Sequence, residues 1–157
     1  MEGIGDTAMK LTHLDAQGEA RMVDVSSKPV MQRKAVARGE IRLQMATLRL
    51  IETQGLAKGN VLAAARQDSG QAAKKTGELI PLCHPLPLSH CELNCVIPKT
   101  RDRVILTASA KIAARTGVEM EALTAVAIAA LTIYDMCKAV DKKMRITEVK
   151  LVSKTKR

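Results

Sequence analysis

Residues 116–142 read TGVEMEALTAVAIAALTIYDMCKAVDK. Thr116 and Glu119 form a Thr-x-x-Glu pattern that is typical of a capped helix start, and we predict a helix over 117–142. Its central residues, 122–134, carry no charge on any face. Such a helix must be covered on all sides, and its uncharged part is too short to span a bilayer. Because one sheet covers one side only, we expect the other side to meet a second copy of the chain.

Shorter patterns around this helix predict the remaining elements, with Gly55 ending one helix and Asn60 capping the next. In chain order these are an extended segment at 22–29, a strand at 34–43, helices at 43–54 and 60–79, strands at 88–97 and 103–113, and a last strand at 145–152. This order predicts a single α+β domain over 1–157, with helices on one face of a mainly antiparallel sheet. We expect residues 1–15 to be loosely ordered.

The charge balance favours a polyanionic partner. The chain has 157 residues, and 25 Lys and Arg against 16 Asp and Glu give a net charge of +9. Nucleic acid and a phosphorylated small molecule both fit this surplus. The absence of Phe and Trp, with a single Tyr, weighs against the aromatic platforms that hold single-stranded bases. No secretion signal is visible, so we expect a cytoplasmic protein.

Three of the four cysteines and two histidines lie in one segment, CHPLPLSHCELNC (83–95). A metal site is one interpretation of this segment. Residues 88–96 alternate like a strand, however, which would place Cys91 and Cys95 about 13 Å apart, too far for both to bind one zinc ion. We therefore expect reduced, small, buried cysteines and no metal site.

One face of the long helix combines apolar and charged side chains. The stripe at 3-4 spacing consists of Glu121, Thr124, Ile128, Leu131, Asp135 and Lys138. Buried charges are costly unless they are paired or used in chemistry, so these carboxylates and the ammonium group are candidate functional groups. Alternatively, Asp135 and Lys138 merely frame the exposed end of the helix, and spacing alone slightly favours this alternative.

Two loops contain further candidates. The segment LIPLCHPLP (79–87) holds three prolines, which stiffen the backbone around Cys83 and His84. His84 is therefore a candidate general acid or base, although a rigid loop with an incidental histidine is at least as good an interpretation. The motif Lys58-Gly59-Asn60 precedes a helix and forms a candidate anion site that lacks the spacing of a P-loop.

Three blocks of the sequence resemble one protein family. They are LTHLDAQGEARMVDVSSK (11–28), AAKKTGELIPLCHPLPLS (72–89) and the long-helix stretch quoted above. Together they are similar to the cyclic pyranopterin monophosphate synthase family, also called the molybdenum cofactor biosynthesis protein C family. The resemblance extends over residues 11–154, and its blocks TGVEMEALTA and LTIYDMCKAV are long and specific.

The resemblance implies a ferredoxin-like fold assembled as a hexamer, a trimer of dimers, with sites at the dimer interface. The implied activity is that of a lyase, which converts 3′,8-cyclo-7,8-dihydro-GTP to cyclic pyranopterin monophosphate and releases pyrophosphate. Neither a membrane nor a nucleic acid takes part. No cofactor is implied, although Mg²⁺ can accompany the triphosphate.

The resemblance also assigns residues by motif. The positions that match the family's catalytic residues are Asp135, Lys138, Lys58 and His84. The positions that match the substrate pocket are Leu82, Cys83, His84, Met120 and Glu121. The positions expected to hold the triphosphate or to order the site are Lys28, Arg33, Lys74 and Lys154.

The chain departs from the family pattern in places. Asn60 stands where Asp is usual, Arg115 where Lys is common, and residues 67–70 (QDSG) replace an apolar stretch. Family members usually continue with a Gly-rich tail beyond the position of Arg157.

The net charge leaves one alternative function, a basic nucleic-acid-binding oligomer without catalysis. The apolar helix leaves another, a structural assembly protein.

Overall fold

The structure is a computed structural model that describes residues 11–56 and 58–157. In chain order its elements are β1 (Met31–Arg42), α1 (Met45–Glu52), α2 (Val61–Lys74), α3 (Thr76–Leu79), β2 (His90–Val96), β3 (Arg103–Ala114), α4 (Glu119–Cys137) and β4 (Arg145–Lys156). Of the segment predicted to be loosely ordered, residues 1–10 lie outside the described residues. Within the remainder, Leu14 forms an isolated β-bridge with Ala20.

The strands form one antiparallel sheet with the order β2-β3-β1-β4. The central strands β1 and β3 bury alternate aliphatic side chains, among them Ala37 and Ile41 on β1 and Leu106 and Ala108 on β3. These side chains face α4, which packs on β1 and β3, while α2 contacts β2 and α4. The strand order and the helical connections are those of a ferredoxin-like arrangement, so the predicted α+β fold is confirmed.

The long helix α4 is covered from two directions within the chain. Its buried residues include Ala122, Val126 and Ile133, and α2 packs along it beside the sheet. The expectation that only a second copy could cover its outer side is therefore too simple. Leu131 and Tyr134 still expose 52% and 37% of their surface, which leaves an apolar strip outside the intramolecular core. The homo-oligomer remains a prediction.

A close approach between α4 and β1 explains the glycine in the middle of the central strand. A Cβ atom placed on Gly39 would lie 2.6 Å from Val126 Cγ1 on α4 and 3.2 Å from Val149 Cγ2 on β4. Both valines are stiff at χ1, so neither moves aside easily. Helix α4 therefore packs directly against the backbone of the central strand β1.

The predicted helix at 60–79 is interrupted at Lys75, where α2 ends and the short α3 begins. The hydroxyl of the fully buried Thr76 donates hydrogen bonds to the carbonyl oxygens of Ala72 and Ala73, at 3.3 and 2.9 Å. These bonds satisfy carbonyls at the end of α2, so that the chain can change direction before the proline-rich loop. The predicted cap of α2 is confirmed, because Asn60 Oδ1 accepts a hydrogen bond from Ala63 N at 3.0 Å.

Two other local predictions are wrong. The segment at 22–29, counted as the first β-element in the predicted α+β order, is not a strand of the sheet; it borders the larger cavity instead. The capping box of α4 does not form, since its N-cap is Val118 and no side chain caps the helix. Glu119 instead forms an ion pair with Lys154 on β4, with Oε1 and Nζ 3.1 Å apart, so a tertiary contact replaces the local one.

Among the described residues, α4 is the one helix long and apolar enough to cross a membrane by length and composition. Half of its most apolar window is buried inside the fold. The core helix of a soluble protein meets the same criteria, so this is weak evidence for a membrane span.

Candidate active site

Three of the four predicted catalytic residues meet at the C-terminal end of α4. Asp135 Oδ2 lies 2.9 Å from Lys58 Nζ, and Asp135 Oδ1 lies 2.9 Å from Lys138 Nζ. Lys58 Nζ also donates to the main-chain oxygen of Asp135 at 3.3 Å. We call these three residues the lysine–aspartate cluster. All three side chains are more than half exposed, so the cluster is open to a ligand or to a partner surface.

The cluster brings together two distant parts of the chain. Lys138 is held by the helix, because it follows Asp135 at the i, i+3 spacing that places two side chains on one face. Lys58 comes from the loop between α1 and α2, where Gly59 adopts a left-handed backbone with φ of 93° before the Asn60 cap. The glycine lets the chain turn sharply, so that Lys58 reaches the end of α4.

The two ammonium groups determine the charge state of Asp135. Hydrogen bonds from Lys138 and then from Lys58, with the attraction of both charges, lower the pKa of Asp135 from 3.8 to about 2. Because the folded-state pKa is depressed, the ionised form is favoured by folding above pH 3.8 and this contribution is lost as the pH falls towards about 2. Asp135 is therefore a fixed anion in the neutral range and is not a proton donor there.

We expect a ¹³C NMR titration of the Asp135 carboxyl carbon to show an inflection near pH 2. Replacing Lys138 with Met should move this inflection upwards, towards 3.8, because the largest single cause of the lowered pKa is removed. The same titration on Glu148→Gln serves as the control, because Glu148 pairs with Lys150 and is not among the causes of the lowered pKa of Asp135. An inflection at or above 3.8 in the unmodified protein would contradict this account of the cluster.

Most of the predicted substrate-pocket residues lie at the other end of α4. A cavity of about 580 Å³ is lined by Leu82, Cys83 and His84 from the proline-rich loop and by Met120 from the first turn of α4. Lys28, predicted to hold phosphate, lines it as well. Four of the five predicted pocket residues are thus brought together, in a space of the size that small-molecule ligands occupy, whereas Glu121 is not among the residues that line it.

The backbone of the proline-rich loop is strained at the cavity. Leu82 adopts a φ of 64°, in the left-handed region, which costs a branched residue about 1–2 kcal/mol. The turn is held by a hydrogen bond from Cys83 N to Ile80 O at 3.3 Å, next to Pro81. Strain of this kind persists where the surrounding structure over-determines a conformation, and such positions cluster at ligand sites.

His84 is oriented by a main-chain contact. Its Nε2 lies 2.6 Å from the carbonyl oxygen of Val23, in the segment that borders the cavity. A carbonyl oxygen can only accept, so Nε2 carries the hydrogen and donates it. In the neutral ring Nδ1 is then the free acceptor, which is the arrangement a general base requires.

Glu121 is a buried carboxyl group with a free oxygen. Its side chain is 2% exposed, and Oε2 has no hydrogen-bond partner among the residues that the structure describes. Burial raises the pKa of Glu121, and the charge of Glu119 raises it further. Burial also raises the pKa of the Cys83 thiol, with a smaller contribution from Glu121, so the two groups are close enough to interact. Glu121 follows Met120, which lines the larger cavity, but Glu121 itself is enclosed by the fold and does not line it.

A smaller cavity of about 200 Å³ adjoins the larger one. Arg33 and Lys154, both predicted to hold phosphate, line it together with Lys34 and Lys156, and it shares Gly117 and Glu119 with the larger cavity. The guanidinium of Arg33 is fixed by hydrogen bonds to Ala114 O at 3.3 Å and Arg115 O at 3.1 Å. The sequence did not single out Lys156 or Glu119 as site residues, because their proximity depends on the pairing of β1 with β4.

Lys74 lines neither cavity. It is exposed at the end of α2, and its charge acts on the half-buried thiol of Cys91, whose pKa burial raises. Cys91 and Cys95 lie on the core side of β2, as the alternation predicted, and all four cysteines are free. The expectation that they are buried holds only for Cys137, since Cys83, Cys91 and Cys95 are partly buried. Within residues 11–56 and 58–157, no group of three or more His, Cys, Asp or Glu is arranged to hold a metal ion.

The lysine–aspartate cluster and the cavities lie at opposite ends of α4. Met120 and Asp135 are separated by fifteen residues of this helix, which corresponds to about 22 Å. One protomer therefore does not bring His84 together with Asp135 and Lys138. A single pocket that contains all of these groups requires two protomers.

Comparison with known proteins identifies the family. A family model described as MoaC family matches residues 22–157. The chain is 54% identical over 148 residues to a cyclic pyranopterin monophosphate synthase of Parvibaculum lavamentivorans, covering 94% of this chain and 92% of that protein. It is 55% identical over 145 residues to the protein of the same name from Chloroflexus aggregans, covering 92% and 88%. A third relative, cyclic pyranopterin monophosphate synthase 1 of Mycobacterium tuberculosis, is 54% identical over 150 residues, covering 96% and 88%. The chain belongs to the MoaC family.

Proposed function

We propose that this chain catalyses the reaction for which its relatives are named, the formation of cyclic pyranopterin monophosphate in molybdenum cofactor biosynthesis. Its substrate is 3′,8-cyclo-7,8-dihydro-GTP, and it acts as a phosphorus–oxygen lyase that releases pyrophosphate. The observation that carries this proposal is the identity of 54% over 94% of the chain with a relative of that name. The groups that such a reaction needs are also present in the fold.

The purine ring must be opened and rebuilt as a pterin, which requires several proton transfers. His84 Nδ1 is a free acceptor at the larger cavity, because Nε2 donates to Val23 O. Lys58 and Lys138 are proton donors held in place by Asp135, which stays ionised throughout the neutral range. Acid and base groups positioned in this way contribute about 10²–10⁴-fold each.

The second chemical step forms the cyclic phosphate. A hydroxyl group of the former ribose loses its proton to a base and its oxygen attacks the innermost phosphorus. The bond from this phosphorus to the bridging oxygen breaks, and pyrophosphate leaves with the electron pair. Negative charge develops on the leaving group, and fixed cations stabilise it. The smaller cavity offers Arg33 and Lys154 for this purpose, next to the cavity lined by His84.

We infer that each complete site combines two protomers, with the cavities from one and the lysine–aspartate cluster from the other. The separation along α4 supports this arrangement, as does the exposure of the cluster. The exposed Leu131 and Tyr134 lie on the same helix and provide apolar surface for such an interface. We expect a hexamer, a trimer of dimers. Four free cysteines are typical of a reducing compartment, so we expect it in the cytoplasm.

The purified protein should convert 3′,8-cyclo-7,8-dihydro-GTP to a pterin and release one pyrophosphate for each substrate consumed. Fluorescence of the oxidised pterin and a coupled pyrophosphate assay measure the two products separately. GTP itself is the matched control, because it has the same charge but lacks the bond between the ribose and the purine C8. Substrate that is recovered unchanged, by a correctly folded protein, would contradict the proposed function.

A further inference from the structure

Glu119 lies on the boundary between the two cavities. It lines both of them, and so does Gly117. The carboxylate folds back over Gly117, since a Cβ atom at this glycine would lie 2.7 Å from Glu119 Cδ. Any larger residue at 117 would occupy the position that the carboxylate takes. The boundary between the cavities therefore consists of the backbone at Gly117 and the Glu119 side chain, and of the two only the side chain can rotate aside.

The same carboxylate holds one of the cations of the smaller cavity. Glu119 Oε1 lies 3.1 Å from Lys154 Nζ, with the Lys154 side chain 66% exposed and Glu119 27% exposed. Three further cations, Arg33, Lys34 and Lys156, line the smaller cavity, so one carboxylate faces four positive charges there. The Glu119–Lys154 ion pair is weak, because the Lys154 side chain is mostly in solvent and exposed ion pairs contribute little free energy.

A strong cationic site creates a difficulty for a reaction that releases pyrophosphate. The cations that stabilise the leaving group also bind the released product, which slows turnover when they bind it too tightly. A carboxylate attached next to one of these cations competes with pyrophosphate for it at a high effective concentration. Glu119 is in the position to do this.

We propose that Glu119 is a displaceable counter-ion of a pyrophosphate-binding cavity. It swings away from Lys154 when a polyphosphate enters, which joins the two cavities, and it returns to Lys154 when pyrophosphate leaves. This assignment rests on the proposed function, because pyrophosphate is a product of that reaction. It goes beyond it in giving Glu119 a role in product release, without contact to the reacting atoms.

Binding of pyrophosphate by isothermal titration calorimetry, at constant ionic strength and without substrate, tests this role. Glu119→Gln keeps the shape of the side chain but removes the competing charge. In this variant pyrophosphate no longer has to break the exposed Glu119–Lys154 ion pair, so we expect it to bind about 2–5-fold more tightly. Glu148→Gln removes an equal charge on β4, where Glu148 is paired with Lys150 outside both cavities, and should leave the affinity unchanged.

A double-mutant cycle separates competition for Lys154 from a general effect of charge. In a Lys154→Met background, Glu119→Gln should no longer tighten the binding of pyrophosphate, because the shared cation is gone. Equal tightening in both backgrounds would overturn the proposal, and so would unchanged or weaker binding in Glu119→Gln alone. Since no turnover is measured, the two claims fail separately. A protein that shows the expected binding yet leaves the cyclised substrate unchanged refutes the proposed function, and with it the role in product release, but not the competition between Glu119 and pyrophosphate for Lys154.

Discussion

Lys58→Ala, Asp135→Ala and Lys138→Ala should each lower the rate of pterin formation by about 10²–10⁴-fold. The reason is their mutual contact: each lysine is held by one oxygen of the same carboxylate, both at 2.9 Å. Loss of Asp135 releases both ammonium groups from their positions. Loss of either lysine removes one proton donor and leaves the other in a simple one-to-one ion pair with Asp135.

These substitutions should leave folding and assembly intact. All three side chains are more than half exposed, and exposed ion pairs contribute little to stability. Thermal unfolding and light scattering should therefore match those of the unmodified protein. The matched control is the pair Glu148 and Lys150 on β4, which is 3.6 Å apart and similarly exposed. Replacing either of these with Ala should leave the rate unchanged.

Activity near the original level in all three cluster variants would remove the assignment of the cluster to catalysis. Two substitutions of Asp135 also distinguish the roles within the cluster. If Asp135 acts by positioning the two lysines, Asp135→Asn should retain more activity than Asp135→Ala, because the amide oxygen still accepts one hydrogen bond. A complete loss in both would indicate that the negative charge itself is required.

Periodicity predicted the fold well because the elements that define it are long. The alternation over β1 and β3 and the uncharged centre of α4 identify a sheet covered by a helix, whatever the details of the loops. The errors arose where a tertiary contact overrides a local pattern. Glu119 pairs with Lys154 across the fold instead of capping α4, and the helix that spacing alone would continue is interrupted at Lys75.

The candidate site was predictable only in part for a similar reason. The i, i+3 spacing of Asp135 and Lys138 is visible in the sequence, and the structure pairs them. Lys58 is 77 residues away from Asp135, and spacing does not indicate their contact. Both residues were identified as site residues by the family resemblance. The smaller cavity depends on the register between β1 and β4, in which Arg33 lies opposite Lys156, and no local pattern encodes this register.

If two protomers share each site, two inactive variants should restore activity when they assemble in one dimer. His84→Ala damages the part of the site at the larger cavity, and Asp135→Ala damages the lysine–aspartate cluster. Each variant alone should be inactive. In a symmetric dimer that contains one chain of each kind, one site receives both defects and the other receives neither.

Equal co-expression of the two variants should therefore restore about a quarter of the activity of the unmodified protein, since about half of the dimers are mixed and one of their two sites is intact.

The converse experiment places both substitutions in one chain and co-expresses it with the unmodified chain. Shared sites then predict about a quarter of full activity, because both sites of a mixed dimer are damaged, whereas sites contained in one chain predict about half. Without exchange of chains, the two variants purified separately and then combined should remain inactive. No gain on co-expression, together with half activity in the converse experiment, would place each site within a single chain. That result would contradict the inference drawn from the length of α4, which separates His84 from Asp135 within one chain.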